Sequence, residues 1–153
     1  MVKRIYVYFI YAVKQLYGFC IFGRRVDVAG FFRVYNPSNV YFGRKFCLNK
    51  NVFINARSPI HIGDDVILSY GVTLLAAGLD VHEFIENRAC VYVSDASIDI
   101  GSHVWIGANA TVLPGTCIGS NVVVAAGSVV RGKLQSNSLY AGNPVRLVRK
   151  YSH

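Results

Sequence analysis

Few side chains in this 153-residue chain can move a proton, hold a metal or bind an anion. Four are imidazoles: His61, His82, His103 and His153. With an ordinary pKa of about 6.5, an imidazole is neutral and available as a base near pH 7. The first three stand 21 residues apart, and three converging histidines would hold zinc. Asp80 and Glu83 flank His82, placed to orient its ring or meet a substrate. Cys20, Cys47, Cys90 and Cys117 show no C-x-x-C or Cys/His spacing and read as reduced, mostly buried thiols of a cytosolic protein. Cations crowd both ends of the chain. Residues 1–50 carry nine Lys/Arg against Asp27 alone, residues 51–100 two Arg against seven acids, and the last 53 residues five bases and no acid. Within a net charge of +8, this polarity points to phosphate, an acidic membrane surface or an anionic glycan. No nucleic-acid-binding motif accompanies the charge, so nucleic acid is not an expected partner.

A six-residue rhythm positions these groups. A branched aliphatic recurs at Ile100, Ile106, Val112, Ile118, Val124 and Val130. Four residues after each of the first five comes a small or β-branched residue: Val104, Ala110, Thr116, Val122 and Ser128. The slot between reads His103, Asn109, Gly115, Asn121 and Gly127. Asn and Gly tolerate positive φ, so this slot is a corner. A period of six is neither the helical 3.6 nor the strand period of 2. It is the hexapeptide signature of a parallel β-helix, with three hexapeptides to each stacked coil. Coils of about 18 residues do not bring together histidines spaced by 21, so no metal is expected.

The beat starts earlier, at Phe42, Leu48 and Ile54, with corners at Lys45, Asn51 and Arg57. Two extra residues near Pro59–His61 shift it, and it resumes at Ile62, Leu68 and Leu74, with corners at Asp65, Gly71 and Ala77. Seven of the eleven corners are Gly, Asn or Asp, as left-handed turns require. Residues 80–97 lack the rhythm and read as a loop extruded from the solenoid, usually a functional feature. Residues 1–22 read as a short N-terminal helix that caps the first coil or lies at a membrane interface; the apolar run from Ile5 to Val13 is too short to span a bilayer. The expected division is therefore an N-terminal segment over 1–22, a solenoid over 23–135 and a tail over 136–153, with Pro144 opening a short C-terminal helix. An apolar content of 53% against 16% charged hints at buried subunit contacts or membrane contact.

The runs IGSHVWIGANATVLPGTCIG, VVAAGSVV and AGNPVRLVRK resemble the hexapeptide-repeat acyltransferases, most closely the galactoside, maltose and capsule or O-antigen acetyltransferases. The similarity covers roughly residues 40–150. It implies an all-β, left-handed parallel β-helix forming a homotrimer, with acetyl-CoA lying along the solenoid in clefts between subunits and no metal. Trp105 matches a family tryptophan along the pantetheine arm, and its slot points outward. Ala108 and Ala126 match small residues beside the thioester. Arg131, Lys133, Arg146 and Arg149 are the cations for the CoA phosphates, although Arg131–Gly132–Lys133 stands where the family reads Thr-Lys-Asp. Asn55 matches an asparagine of the cleft. The family's glycine–histidine falls on Gly78–Leu79, with His82 three residues later at the root of the loop; His82 is the expected general base, and Asp80 and Glu83 the expected substrate contacts.

The expected activity is direct, acetyl-CoA-dependent O-acetylation of a sugar in surface-polysaccharide assembly, in the cytoplasm or at the cytoplasmic face of the inner membrane, which the basic, aromatic N-terminus would contact peripherally. N-acetylation of a nucleotide-linked amino sugar, a zinc-dependent carbonic anhydrase on the same solenoid and a non-catalytic trimeric scaffold are the alternatives weighed.

Overall fold

The computed structural model describes residues 2–93 and 96–152, with side chains in the first helix from residue 12 onward. His153 and the aromatic side chains of residues 5–11 lie outside the described set. Helix α1 (Val2–Phe22) leads into a parallel β-helix. The first coil is β1 (Asp27–Val28), β2 (Arg33–Tyr35) and β3 (Val40–Phe42); the second is β4 (Cys47–Leu48), β5 (Phe53–Asn55) and β6 (Ile60–Ile62). In the third, β7 (Val66–Leu68) and β8 (Thr73–Leu75) precede an excursion containing α2 (Val81–Glu86), and β9 (Ile98–Ile100) closes the coil. The fourth is β10 (Val104–Ile106), β11 (Thr111–Val112) and β12 (Cys117–Ile118), and the fifth β13 (Val122–Val124), β14 (Val129–Val130) and β15 (Lys133–Leu134). The chain ends in β16 (Ser138–Ala141) and β17 (Arg146–Lys150).

Equivalent strands stack into three parallel sheets, the faces of a prism. One has seven strands, in the order β1-β4-β7-β10-β13-β16-β17; the other two have five each, β2 through β14 and β3 through β15. Register measures the coils. Val28 pairs with Leu48 and Leu48 with Leu68, giving coils of 20 residues. Ile106 pairs with Val124, giving the expected 18, and Val124 with Tyr140, giving 16. Leu68 pairs with Ile106, so the excursion adds 20 residues to an 18-residue coil.

Burial follows the sequence beat. Ile100, Ile106, Val112, Ile118, Val124 and Val130, and each of Val104, Ala110, Thr116, Val122 and Ser128, are at most 4% exposed. Alternation along the strand then turns the middle residue outward in β3, β6, β7, β9 and β10, whereas in β5 and β8 the middle residue, Ile54 or Leu74, is buried and the ends face outward. Thr116 and Ser128 are satisfied despite burial: Thr116 Oγ1 donates to Leu113 O at 2.6 Å, and Ser128 Oγ accepts from Gly142 N at 3.1 Å. Nine of the eleven expected corners have positive φ; Arg57 and Ala77 do not. Both lie where β5 or β8 hands over to the third face, the corner that holds two extra residues in the second coil and the whole excursion in the third. Spare chain there replaces the tight left-handed turn.

Helix α1 covers the open end of the first coil. Tyr17 Oη donates to Phe32 O at 2.6 Å, Gln15 Nε2 donates to Val28 O at 3.0 Å, and Phe22 stacks on Phe32. A Cβ on Gly18 would come within 2.6 Å of Val26 and Val28 side chains, so glycine permits this approach. No helix among the described residues is long and apolar enough to cross a membrane.

Three expectations are corrected. The tail is not a helix: β17 runs antiparallel to β16, giving the last parallel strand a hydrogen-bonded neighbour. His61 is not in the inserted residues, which occupy the corner at 56–59; it is the outward middle residue of β6, stacked on the Tyr41 ring at 5.0 Å. The four cysteines are free, yet Cys20, Cys90 and Cys117 are exposed. Cys117 and the partly buried Cys47 take outward strand positions beside buried Ile118 and Leu48. Desolvation, and then the charge of Asp27, push the Cys47 thiol pKa up.

Candidate active site

Trp105 is the middle residue of β10, flanked by buried Val104 and Ile106, and is itself 53% exposed. Its indole Nε1 donates to Ser69 Oγ at 2.9 Å. Arg146 and Arg149 stand exposed on β17 of the same seven-stranded sheet, opposite Ala141 and Leu139. Ala108 and Ala126 occupy successive coils at the corner leading from that sheet to the sheet of β2 and β5. Gly127 N donates to Ala108 O at 2.8 Å, and a Cβ on Gly107 would lie 2.6 Å from Ala126 N, so backbone meets backbone there. Arg131 falls at the following corner and Lys133 on the third face, both exposed. One face and its edge thus gather Trp105, Ala108, Ala126, Arg146 and Arg149, while Arg131 and Lys133 stand apart from them.

The second group belongs to the excursion. Its root is closed by an antiparallel bridge between Leu79 and Tyr92, with Asp80 N donating to Val91 O at 2.8 Å and Val93 N to Gly78 O at 2.9 Å. Asp80 is the N-cap of α2: its carboxylate accepts from His82 N at 2.9 Å and Glu83 N at 3.1 Å. Glu83 accepts from Asn87 Nδ2 at 2.9 Å at the other end of the helix. The two flanking acids therefore shape α2, and neither reaches the imidazole. The partner of that ring is Glu86, one turn on, with Oε2 3.1 Å from His82 Nε2. His82 is 69% exposed at its side chain. No residue of α2 is buried, and Val81, Phe84 and Ile85 are bare.

Asn55 lies at the end of β5, in register with Tyr35 one coil before and Leu75 one coil after. A cavity of about 320 Å³ opens beside it, lined by Tyr35, Asn36, Asn55, Arg57 and Tyr92. Its roof is a cation–π stack, with the Arg57 guanidinium 3.5 Å from the Tyr92 ring centroid. His82 is not among the walls, so the structure does not bring it together with Asn55. Among the described residues, no three His, Cys, Asp or Glu side chains form a metal-binding group.

Reading the sequence missed Ser69, Glu86, Arg57 and Tyr92. Only Glu86 had a local signal, the i,i+4 spacing from His82, visible once residues 81–86 are taken as helix.

A prism of stacked parallel coils is the architecture of the left-handed β-helix acetyltransferases. The family profile "Bacterial transferase hexapeptide (six repeats)" matches residues 97–132. Escherichia coli K12 galactoside O-acetyltransferase is 37% identical over 113 residues, which is 74% of this chain and 55% of that protein. The crystal structure of a maltose O-acetyltransferase from Clostridium difficile 630 superposes with a TM-score of 0.78 at 30% identity, over 85% of this chain and 68% of that one. A galactoside acetyltransferase solved in complex with coenzyme A superposes with a TM-score of 0.70 at 33% identity, over 82% of this chain and 64% of that one. The chain belongs to the hexapeptide-repeat acyltransferase family. It spans just over half the length of the galactoside O-acetyltransferase of Escherichia coli.

Proposed function

We propose that the protein is an acetyl-CoA-dependent O-acetyltransferase acting on a sugar of a surface polysaccharide. The observation that carries the reading is Trp105: a large ring held outward by Ser69 on the sheet that bears Arg146 and Arg149. A buried hydrophobic role does not explain it, and the galactoside acetyltransferase solved with coenzyme A supplies the ligand class. Trp105 packs along the pantetheine arm, Ala108 and Ala126 leave room for the thioester, and Arg146 and Arg149 meet the phosphates, while Arg131 and Lys133, on other faces of the prism, do not share that group.

In the transfer, an acceptor hydroxyl attacks the thioester carbonyl as His82 takes its proton. In the neutral tautomer Glu86 accepts from Nε2–H, which leaves Nδ1 as the base. Collapse of the tetrahedral oxyanion expels the CoA thiolate, which receives the proton from the imidazolium. Asn55, which does not meet His82 within one chain, positions the acceptor from across the cleft between subunits. Asp80 and Glu83 serve by holding α2 rather than by touching the sugar. The working unit is a homotrimer, since exposed Val81, Phe84 and Ile85 give the excursion an apolar face for a neighbouring subunit.

The test measures CoA binding and acetyl transfer to galactosides and amino sugars by wild type and His82→Ala. Loss of transfer by roughly 10²-fold or more with unchanged CoA binding supports the base. Equal transfer by both proteins removes His82 from the mechanism, and a wild type that binds no CoA removes the enzyme reading.

A further inference from the structure

Resting on the acetyltransferase reading, we infer that the acceptor is an anionic sugar, held by its carboxylate or phosphate on Arg57. Arg57 is not a simple corner residue. It sits in the extra chain at 56–59, and Asn39 Nδ2 donates to both Ala56 O at 3.1 Å and Arg57 O at 3.3 Å, while Ser58 N donates to Ala76 O at 2.8 Å. The backbone is fixed on both sides, and Tyr92 fixes the guanidinium from the excursion. Stacking occupies the face of the guanidinium and leaves its in-plane N–H edge, the edge that binds an oxyanion in two-pronged fashion.

The chemistry of the cavity favours an anion. Arg57 has donors and no acceptor, and among the described residues no carboxylate lies within ion-pair distance of it. Neither does one line the cavity, whose walls are two tyrosines, two asparagines and Arg57. Among the described residues the acids of the excursion are committed elsewhere, Asp80 and Glu83 to the caps of α2 and Glu86 to His82. A neutral sugar presents many hydroxyl donors and is matched by carboxylate acceptors; this site offers a cation instead. Tyr35 and Tyr92, both exposed, provide ring faces for a sugar, and the volume of about 320 Å³ admits one ring. Asn55, on the same outward side of the chain two residues before Arg57, ties the subsite to the cleft.

The experiment measures binding of methyl galacturonide, galactose 1-phosphate and methyl galactoside to the full chain by saturation-transfer NMR, without CoA, in wild type, Arg57→Gln and Arg57→Lys. Wild type is expected to bind at least one anionic sugar about tenfold tighter than the neutral one. The galacturonide and phosphate arms tell which oxyanion is taken. Arg57→Gln should bring charged and neutral sugars within about twofold, with Arg57→Lys between, because lysine keeps the charge without the planar fork. Equal binding of all three sugars by wild type, no binding of either anion, or a preference that survives Arg57→Gln would overturn the inference. CoA binding followed by Trp105 fluorescence on the same proteins tests the acetyltransferase reading separately: its absence defeats that reading whatever the sugars do.

Discussion

Trp105 of β10 and Ser69, the residue that follows the neighbouring strand β7, are joined by an indole hydrogen bond of 2.9 Å. The bond orients a residue that remains 53% exposed, so the indole is held without being buried. Ser69→Ala should weaken CoA binding about fivefold, the worth of one ordinary hydrogen bond, without changing the fold. A fluorescence titration of the single tryptophan reads it directly, and an unchanged dissociation constant would mean that the bond does not prepare the ring for the cofactor.

The His82–Glu86 pair makes a second prediction. Glu86→Ala should lower kcat about tenfold, less than the roughly 10²-fold or greater loss on removing a general base, and leave KM for acetyl-CoA unchanged. Because Glu86 acts only through the imidazole, adding Glu86→Ala to His82→Ala should cost nothing further. Additive losses in the double variant would place Glu86 in some other role.

The corners can be tested one at a time. Asn109 has φ of 56°, in the left-handed region. Asn109→Val should destabilise the solenoid by about 1–2 kcal/mol, whereas Asn109→Gly should be close to neutral. Urea denaturation midpoints separate the two; equal midpoints would show that this corner relaxes freely.

Asp64 confers an acid sensitivity. Arg44 donates to it from its backbone N–H at 2.7 Å and from its guanidinium at 2.9 Å, and these bonds hold the carboxyl pKa below its ordinary value. A depressed carboxylate stabilises the fold above its unfolded pKa and loses that contribution as pH falls through the lowered, folded value. Asp64→Asn should therefore melt at a lower temperature than wild type at pH 7, with the gap closing below about pH 4. A constant gap across that range would assign the effect to shape rather than charge.

Much of this molecule is local and so was legible in advance. The six-residue beat predicted a buried column that the fold fills, because every coil needs its aliphatic in the same place. Asn, Asp and Gly marked seven corners because few other residues take positive φ without strain; Lys45 and His103 take it all the same, and Arg57 and Ala77 do not, because extra chain there removed the need for a tight turn. Trp105 could be read as outward from its slot alone.

What depended on distant pairing could not be read. The run RLVRK suits helix or strand, and the free edge of β16 decided for strand. Asp80 and Glu83 read as site acids, and only the fold showed that both also bind the two ends of α2. Arg57 and Tyr92 meet only because the excursion folds back over the second coil, and no local rule relates two residues 35 positions apart. Sequence by itself determined the coils, since repetition makes each residue's environment a copy of its neighbour's. The tertiary structure alone decided which side chains meet at the excursion, Arg57 with Tyr92, because there that repetition is interrupted.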